Sequence, residues 1–156
     1  MTVKPSPDGY HSFTPYLIVQ GADDAIDFYK KAFGAEEIMR LEVPDKIVRH
    51  AEIQIGDSRI MLSDEHPEMK ALAPQSPGSS GVSFYLYVEN VDEIVSQAIS
   101  AGAKVQRPLQ DQFYGDRSAT LEDPFGHVWT VATHIEDVTP EEINRRMEEM
   151  MESQCE

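Results

Sequence analysis

The sequence predicts an α+β fold in which one soluble domain, residues 1–156, is built from two copies of a βαβββ unit. Three observations predict it. An apolar run leads into an amphipathic helical pattern twice, each helical pattern ends at a Gly-Ala pair, and each is followed by segments that alternate polar and apolar residues. Such a repeat indicates one supersecondary unit used twice. We place the first unit at residues 13–72 and the second at residues 82–136.

The two helical patterns have matching ends. In each of them an isoleucine is followed eight residues later by the glycine of the Gly-Ala pair, which is Gly34 in the first unit and Gly102 in the second. Glycine suits the left-handed conformation that commonly closes a helix. Asp23 and Asn90 are the predicted N-caps, since their side chains can accept hydrogen bonds from the first free backbone amides.

After each helix the pattern changes to period two, which is typical of strands joined in hairpins, with turns at Gly56 and at Gly126. Between the two units, residues 73–81 read APQSPGSSG and have the composition of a loop, so we predict a linker there. The second unit is followed by Thr139, Pro140 and a glutamate three positions after the threonine, a capping box that starts a helix. We therefore predict a C-terminal helix over residues 139–152 that packs on the domain or contacts a dimer partner.

The charge of the chain excludes some partners. Asp and Glu number 28 and Lys and Arg number 13, so the net charge is −15. Such a surface repels phosphate backbones and anionic lipid, and we therefore predict neither nucleic acid nor membrane as a partner. No segment has the roughly 20 apolar residues of a membrane helix, and the single cysteine, Cys155, excludes an intramolecular disulfide. A cytoplasmic location is the expectation.

Four segments carry a family resemblance: PYLIVQGADDAIDFYKKAFGAEE, RHAEIQIGD, LSDEHP and YGDRSATLEDPFGHVWTVATH. They resemble the vicinal-oxygen-chelate superfamily, which includes glyoxalase I, extradiol dioxygenases and bleomycin-resistance proteins, and they are similar to its PhnB-like branch. The resemblance covers residues 13–138. It implies a glyoxalase/bleomycin-resistance-like fold, in which each unit curls its sheet into a half-barrel around a ligand cavity. Relatives pair these halves within one chain or across two chains, and a homodimer is expected.

The resemblance also implies where a metal would bind, with one ligand on the first and one on the last strand of each unit. Those positions fall on Thr14, Met61, Ser83 and Thr130. Hydroxyl and thioether groups are poor ligands for the divalent ions of this superfamily. We therefore predict no metal cofactor at these positions, which argues against glyoxalase I and dioxygenase chemistry. A divalent metal held by relocated ligands stays an alternative.

Strand alternation predicts which side chains line the cavity. The inward set is rich in tyrosine and hydroxyl groups, a composition that suits a planar or partly polar organic molecule. Tyr114 precedes a strand and is a candidate lid. The predicted ligand-binding residues are Thr14, Tyr16, His50, Glu52, Met61, Ser83, Tyr85, Tyr87, Tyr114, Thr120 and Thr130.

His50 and Glu52 are the candidate catalytic residues, because they share one face of a strand and a histidine beside a carboxylate can act as a general base. Two functions stay open: a protein that binds a small organic molecule without metal, and a lyase, isomerase or metalloenzyme that uses these two residues. The simpler interpretation of His50 is a histidine bonded to its sheet neighbours.

Three further positions have expectations of a more structural kind. His127 is predicted to stabilise the turn that it follows, and the sequence suggests no partner for His134. Asp116 and Arg117 are expected either to bind a charged ligand group or to form a salt bridge.

Overall fold

A computed structural model describes residues 3–155 as two four-stranded sheets and three helices. The predicted α+β class, with two βαβββ modules, is confirmed. The strands are β1 (Tyr16–Val19), β2 (Glu36–Val43), β3 (Ile47–Ile55), β4 (Ser58–Asp64), β5 (Phe84–Tyr87), β6 (Lys104–Asp111), β7 (Asp116–Glu122) and β8 (Val128–His134). The helices are α1 (Ala22–Phe33), α2 (Val91–Ala101) and α3 (Pro140–Gln154), and short 3₁₀ turns span Pro44–Lys46 and Pro67–Met69.

The two sheets have the same topology. Their strand orders are β1-β4-β3-β2 and β5-β8-β7-β6, and in each the first strand runs parallel to the last while the other pairs are antiparallel. The register is also equivalent, since Tyr16 lies opposite Met61 in the first sheet and Tyr85 lies opposite Thr130 in the second. Each sheet is a half-barrel whose other face packs against the helices.

The core lies between the sheets and the helices α1 and α2, which contact each other. In β3 the residues Ala51, Ile53 and Ile55 are buried, as the alternation predicts. The helices end where the sequence indicates, at Gly34 with φ 69° and at Gly102 with φ 123°. Only residues without a β-carbon adopt such angles at little cost.

One predicted cap is wrong and the other is confirmed. Asn90 accepts a hydrogen bond from the Glu93 amide at 3.2 Å, as an N-cap should. Helix α1, however, begins after Gly21, so Asp23 lies inside its first turn. The cap is supplied instead by Asp64 at the end of β4, whose Oδ1 accepts from the amides of Gly21 and Ala22 at 2.9 and 2.7 Å.

A buried carboxylate joins the two halves. Asp123 is 4% exposed, and its Oδ2 accepts from the Tyr29 hydroxyl of α1 at 2.7 Å and from the Trp129 indole at 2.9 Å. Burial, together with the neighbouring Asp123 charge, raises the pKa of Tyr29 well above its usual value. His127 caps its turn through its own amide to Asp123, but its ring nitrogen also lies 3.1 Å from the Ile18 carbonyl oxygen. It therefore links the modules as well as stabilising the turn.

The C-terminal helix is attached mainly by polar contacts. The Thr139 hydroxyl accepts from the Glu142 amide at 3.2 Å, which confirms the N-cap of the predicted helix. The Glu142 carboxylate accepts from Arg145 and Arg146, so only this half of the predicted capping box is formed. Arg146 donates to Glu136 at 2.8 Å and to the Phe113 carbonyl at 3.0 Å. No described residue of α3 is buried. Within residues 3–155, no helix combines the length and the apolar character that a membrane crossing requires.

Candidate functional site

The predicted cavity residues fall on two open faces, one on each half-barrel. On the first face, Tyr16, Met61 and Glu52 are direct neighbours across β1, β4 and β3. On the second face, Tyr85, Thr130 and Thr120 form the equivalent row across β5, β8 and β7. The structure therefore brings the inward set together as two matching rows rather than as one enclosed pocket.

The first face carries a hydrogen-bonded chain of four side chains. The Tyr16 hydroxyl lies 2.9 Å from His50 Nδ1, and His50 Nε2 lies 3.2 Å from a Glu52 oxygen. The Tyr10 hydroxyl donates to the other Glu52 oxygen. As a carboxylate Glu52 only accepts, so the imidazole donates through Nε2 and accepts the Tyr16 hydrogen at Nδ1.

This chain fixes the imidazole in one tautomer, which is what a positioned proton acceptor requires. Its surroundings are partly apolar, because Met39 lies opposite Glu52 and Leu41 lies opposite His50 on β2. Sequence reasoning missed Tyr10. It precedes the first strand, and the repeat has no counterpart that would indicate a role there.

The second face contains a cavity of about 500 Å³. Thr120 and Thr130 line it, and their hydroxyl oxygens are 3.0 Å apart and share a hydrogen bond. Tyr85 and the candidate lid Tyr114 also line it, so four predicted residues meet at one cavity. The further lining side chains include Arg107, Gln110, Gln112 and Phe113.

A buried carboxylate organises one end of this face. Asp116 is 3% exposed, and its Oδ2 accepts from the hydroxyls of Tyr85 and Tyr87 at 2.7 and 2.9 Å. Its Oδ1 lies 2.8 Å from His134 Nδ1, while His134 Nε2 lies 2.8 Å from Asp137. The expectation that His134 lacks a partner is thus wrong. The hairpin register, which pairs Asp116 with His134 across β7 and β8, was the signal available in the sequence.

The pKa shifts in this cluster favour an ionised Asp116 that accepts hydrogen bonds from neutral tyrosine hydroxyls. Burial acts to raise the pKa of Asp116, but hydrogen bonds from Tyr85, His134 and Tyr87 outweigh it and hold that pKa below its usual value. Burial, followed by the bond to Asp116, raises the pKa of Tyr85 far above normal, and the bond to Asp116 raises the pKa of Tyr87. Hydrogen bonds to Asp116 and Asp137 raise the pKa of His134.

Other candidates lie outside these two groups. Arg117 pairs with Asp92 at 2.8 Å and with Asp111 at 3.0 Å rather than with Asp116, so of the two expectations it is the salt bridge that forms. Thr14 precedes β1 and lines a separate cavity of about 280 Å³ between the modules. Ser83 is exposed just before β5.

The donor atoms at the four positions implied by the resemblance do not fit a divalent metal. They are the hydroxyl and thioether groups of Thr14, Met61, Ser83 and Thr130, which are weak or soft ligands for such ions. Within residues 3–155, no three His, Cys, Asp or Glu side chains are grouped so that they could hold a metal ion.

Comparison with known proteins agrees with this architecture. The family model described as the Glyoxalase/Bleomycin resistance protein/Dioxygenase superfamily matches residues 9–131. An uncharacterized protein of Mycobacterium tuberculosis strain H37Rv is 40% identical over 139 residues, which cover 87% of this chain and 82% of that protein.

Two solved structures show the same fold. The crystal structure of TioX from Micromonospora sp. ML1 matches with a TM-score of 0.64 and 24% identity, covering 81% of this chain and all of TioX. The PhnB protein from Bacillus cereus matches with a TM-score of 0.59 and 19% identity, covering 79% of this chain and 99% of its own. The fold of the PhnB branch is thus shared.

Proposed function

The chain belongs to the glyoxalase/bleomycin-resistance/dioxygenase superfamily, and from this premise we propose that it binds a small organic molecule on its half-barrel faces without a metal ion. The observation that carries the proposal is the cavity of about 500 Å³ on the second face. Its volume is within the range of small-molecule sites. Its lining combines three aromatic rings with a larger number of polar side chains. The ligand is therefore a partly polar, flat molecule.

We further propose that a homodimer closes the site. The two modules of one chain pack through α1 and α2, which leaves both half-barrel faces open. Tyr16, Leu41 and Tyr87 expose 47, 55 and 60% of their surface there. Large exposed apolar groups on a concave face favour burial against a partner. A first face from one copy and a second face from the other would supply both rows of predicted residues, in the cytoplasm where the single cysteine stays reduced.

Binding is tested by thermal shift of untagged protein against small aromatic compounds and antibiotics, with EDTA and with added divalent ions. A compound that raises the melting temperature equally in EDTA supports metal-independent binding. The Thr130→Phe variant fills the second-face cavity and should abolish that shift. Ser100→Phe on α2, away from both faces, should retain it. If no compound shifts the melting temperature, or if shifts require a metal ion, the proposal is wrong.

The dimer is tested by light scattering after size-exclusion chromatography. Leu41→Glu places a charge on the first face and should yield monomers. The control is Ile99→Glu, which makes the same kind of apolar-to-charged change on α2, where Ile99 is 44% exposed. This variant should have the same mass as the wild-type assembly. A monomeric wild-type protein would contradict closure by a second copy.

The second candidate function is proton transfer in a lyase or isomerase, and the chain Tyr16–His50–Glu52 favours it. In that case Nδ1 of His50 exchanges a proton with Tyr16 or with a substrate carbon acid, and Glu52 stabilises the imidazolium. The test is deuterium exchange from solvent into ligands found in the binding screen. Exchange that is lost in His50→Gln while binding persists supports an enzyme, and wild-type protein that catalyses no exchange or turnover excludes this candidate for those ligands.

A further inference from the structure

The two tyrosines of β5 form an open aromatic notch at one end of the second face. Their ring centres are 5.1 Å apart and the ring planes are inclined by 48°. Tyr85 is 46% exposed and Tyr87 is 60% exposed, yet both hydroxyls are anchored to the same buried oxygen of Asp116. The two rings are therefore accessible to a ligand, and their hydrogen bonds to Asp116 fix their positions.

The hydroxyl hydrogens of both tyrosines already form hydrogen bonds within the protein. The carboxylate of Asp116 can only accept, so both tyrosine hydroxyls must donate to it. What each hydroxyl oxygen offers a ligand is its remaining lone pair, and what each ring offers is the negative face of its π system. A ligand group that meets the notch must therefore donate hydrogen bonds.

The charge behind the notch has the same preference. Asp116 is buried and negative, and it bonds to His134, which in turn bonds to the exposed carboxylate of Asp137. Two carboxylates and one imidazole carry a net negative charge whether or not the imidazole is protonated. An anionic ligand group would meet lone pairs backed by this charge, whereas a cation is attracted both by the charge and by the ring faces.

The one basic side chain that lines the same cavity does not reverse this preference. Arg107 lies on β6, at the opposite edge of the sheet from β5. Three strand spacings separate the backbone positions by about 14 Å. Asp116 bonds directly to both tyrosine hydroxyls, so its charge acts on the notch at a shorter distance than that of a side chain anchored on β6.

We propose that the ligand of the second face carries a primary ammonium group, which binds against the exposed surface of the Tyr85–Tyr87 pair and donates hydrogen bonds to the two hydroxyl oxygens. This rests on the proposed small-molecule function and specifies the class of ligand, an amine attached to an apolar or aromatic body. The notch holds the charged end, and the threonine row with Tyr114 contacts the remainder.

The experiment compares two probes of nearly equal shape by isothermal titration calorimetry at neutral pH. The probes are 2-phenylethylamine, which is protonated there, and 2-phenylethanol, which is neutral. Wild-type protein should bind the amine about tenfold or more tightly than the alcohol, as cation–π attraction and charged hydrogen bonds allow. Asp116→Asn should reduce that ratio to within about twofold, and Tyr87→Phe, which keeps the ring but removes one acceptor oxygen, should reduce it about threefold.

The matched control is Asp137→Asn. It removes a carboxylate of the same charge from the same cluster, but one that touches neither tyrosine, and it should retain most of the preference for the amine. Circular dichroism checks that Asp116→Asn is folded, and Tyr87→Phe serves as the test if it is not. Equal affinity for amine and alcohol in the wild type overturns the inference while leaving small-molecule binding intact. An equal loss in Asp137→Asn overturns it too, because general attraction to an acidic protein would then explain the preference.

Discussion

The two half-barrels share a scaffold but differ at equivalent positions on their open faces. In the first, Glu52 lies beside Met61 and continues into the polar chain through His50, near the middle of the sheet. In the second, the equivalent pair is Thr120 and Thr130, and the ionisable cluster lies at the strand ends around Asp116. The difference teaches that packing against the helices restrains one face of each sheet, whereas the open face is free to take on different chemistry.

The supports behind the two faces differ in a similar way. Asp64 at the end of β4 accepts from three backbone amides, those of Gly21, Ala22 and Val48. Its counterpart at the end of β8 is Thr133, whose hydroxyl accepts from one, that of Val91. The same join between strand and helix is therefore made with a charged acceptor in one half and a neutral acceptor in the other.

The largest expected effect on stability concerns the loop between the second and third strands of each module, where the two modules differ. In the second module, a β-carbon on Gly115 (φ 103°) would lie 2.2 Å from the Glu136 carbonyl oxygen. Gly115→Ala should therefore lower the free energy of unfolding by about 3 kcal/mol or more, measured by urea denaturation. In the first module Lys46 already has a φ of 59° in the equivalent connection. Lys46→Gly should change stability by less than about 0.5 kcal/mol, and an equal cost for both changes would refute the clash.

The next largest effect on stability concerns the side chains that join the last strand of each module to its helix, Asp64 and Thr133. Asp64→Asn places an amide NH₂ group opposite backbone N–H donors. It should therefore lower the free energy of unfolding by about 2 kcal/mol. Thr133→Val keeps the shape but removes the acceptor for the Val91 amide and the donor to the Val88 carbonyl, and it should lower the free energy of unfolding by about 1 kcal/mol. Urea unfolding of both variants provides the measurement. Equal costs would show that the number of amides bound does not govern these joins.

A smaller effect concerns pH. Because the folded-state pKa of His134 is raised, its contribution to stability is fully present below its unfolded pKa of about 6.5 and is lost as pH rises through the folded pKa. The difference in unfolding free energy between wild type and His134→Gln should therefore shrink from about pH 5 to about pH 9. Thr133→Val, which changes no ionisable group, is the control, and its difference from wild type should stay constant over the same range. A constant difference for His134→Gln would contradict the pairing with Asp116 and Asp137.

The smallest effect is that of two arginines which both bind an aspartate in the first turn of a helix. Arg40 pairs with Asp23 and has a side chain 19% exposed, whereas Arg117 pairs with Asp92 and is 34% exposed. Arg40→Gln should lower the melting temperature measurably, and Arg117→Gln should lower it less. Adding salt to about 0.5 M should erase the second effect first. A larger decrease in melting temperature for Arg117→Gln than for Arg40→Gln would contradict this prediction.

Much of the scaffold was predictable from local patterns. Period-two alternation gave the faces of β3 and β8, and Gly34 and Gly102 marked the helix ends because their function depends only on the local backbone. The misassigned cap of α1 shows the limit of such reasoning. Asp64 is more than 40 residues from the two amides that it caps at the start of α1, and a residue already in the first turn offered a plausible local substitute.

The candidate sites were predictable in part for the same reason. Strand parity placed Tyr85, Thr120 and Thr130 on one face, since parity is a property of each strand alone. The bonds that give this face its chemistry depend on register between strands, so Asp116 with His134 was missed although the hairpin turn implied it. The bond from Tyr29 to Asp123 depends on how two modules pack together, which no local pattern encodes.

That last bond has a practical consequence, because the carboxylate it reaches is shared with Trp129, the only tryptophan of the chain. The indole is 2% exposed and its ring centre lies 4.7 Å from that of Phe33 in the opposite module. Its emission is thus an intrinsic optical reporter of the joint between the halves. A red shift that precedes the loss of helical circular dichroism during denaturation would reveal modules that separate before they unfold, and coincident signals would reveal a single cooperative body.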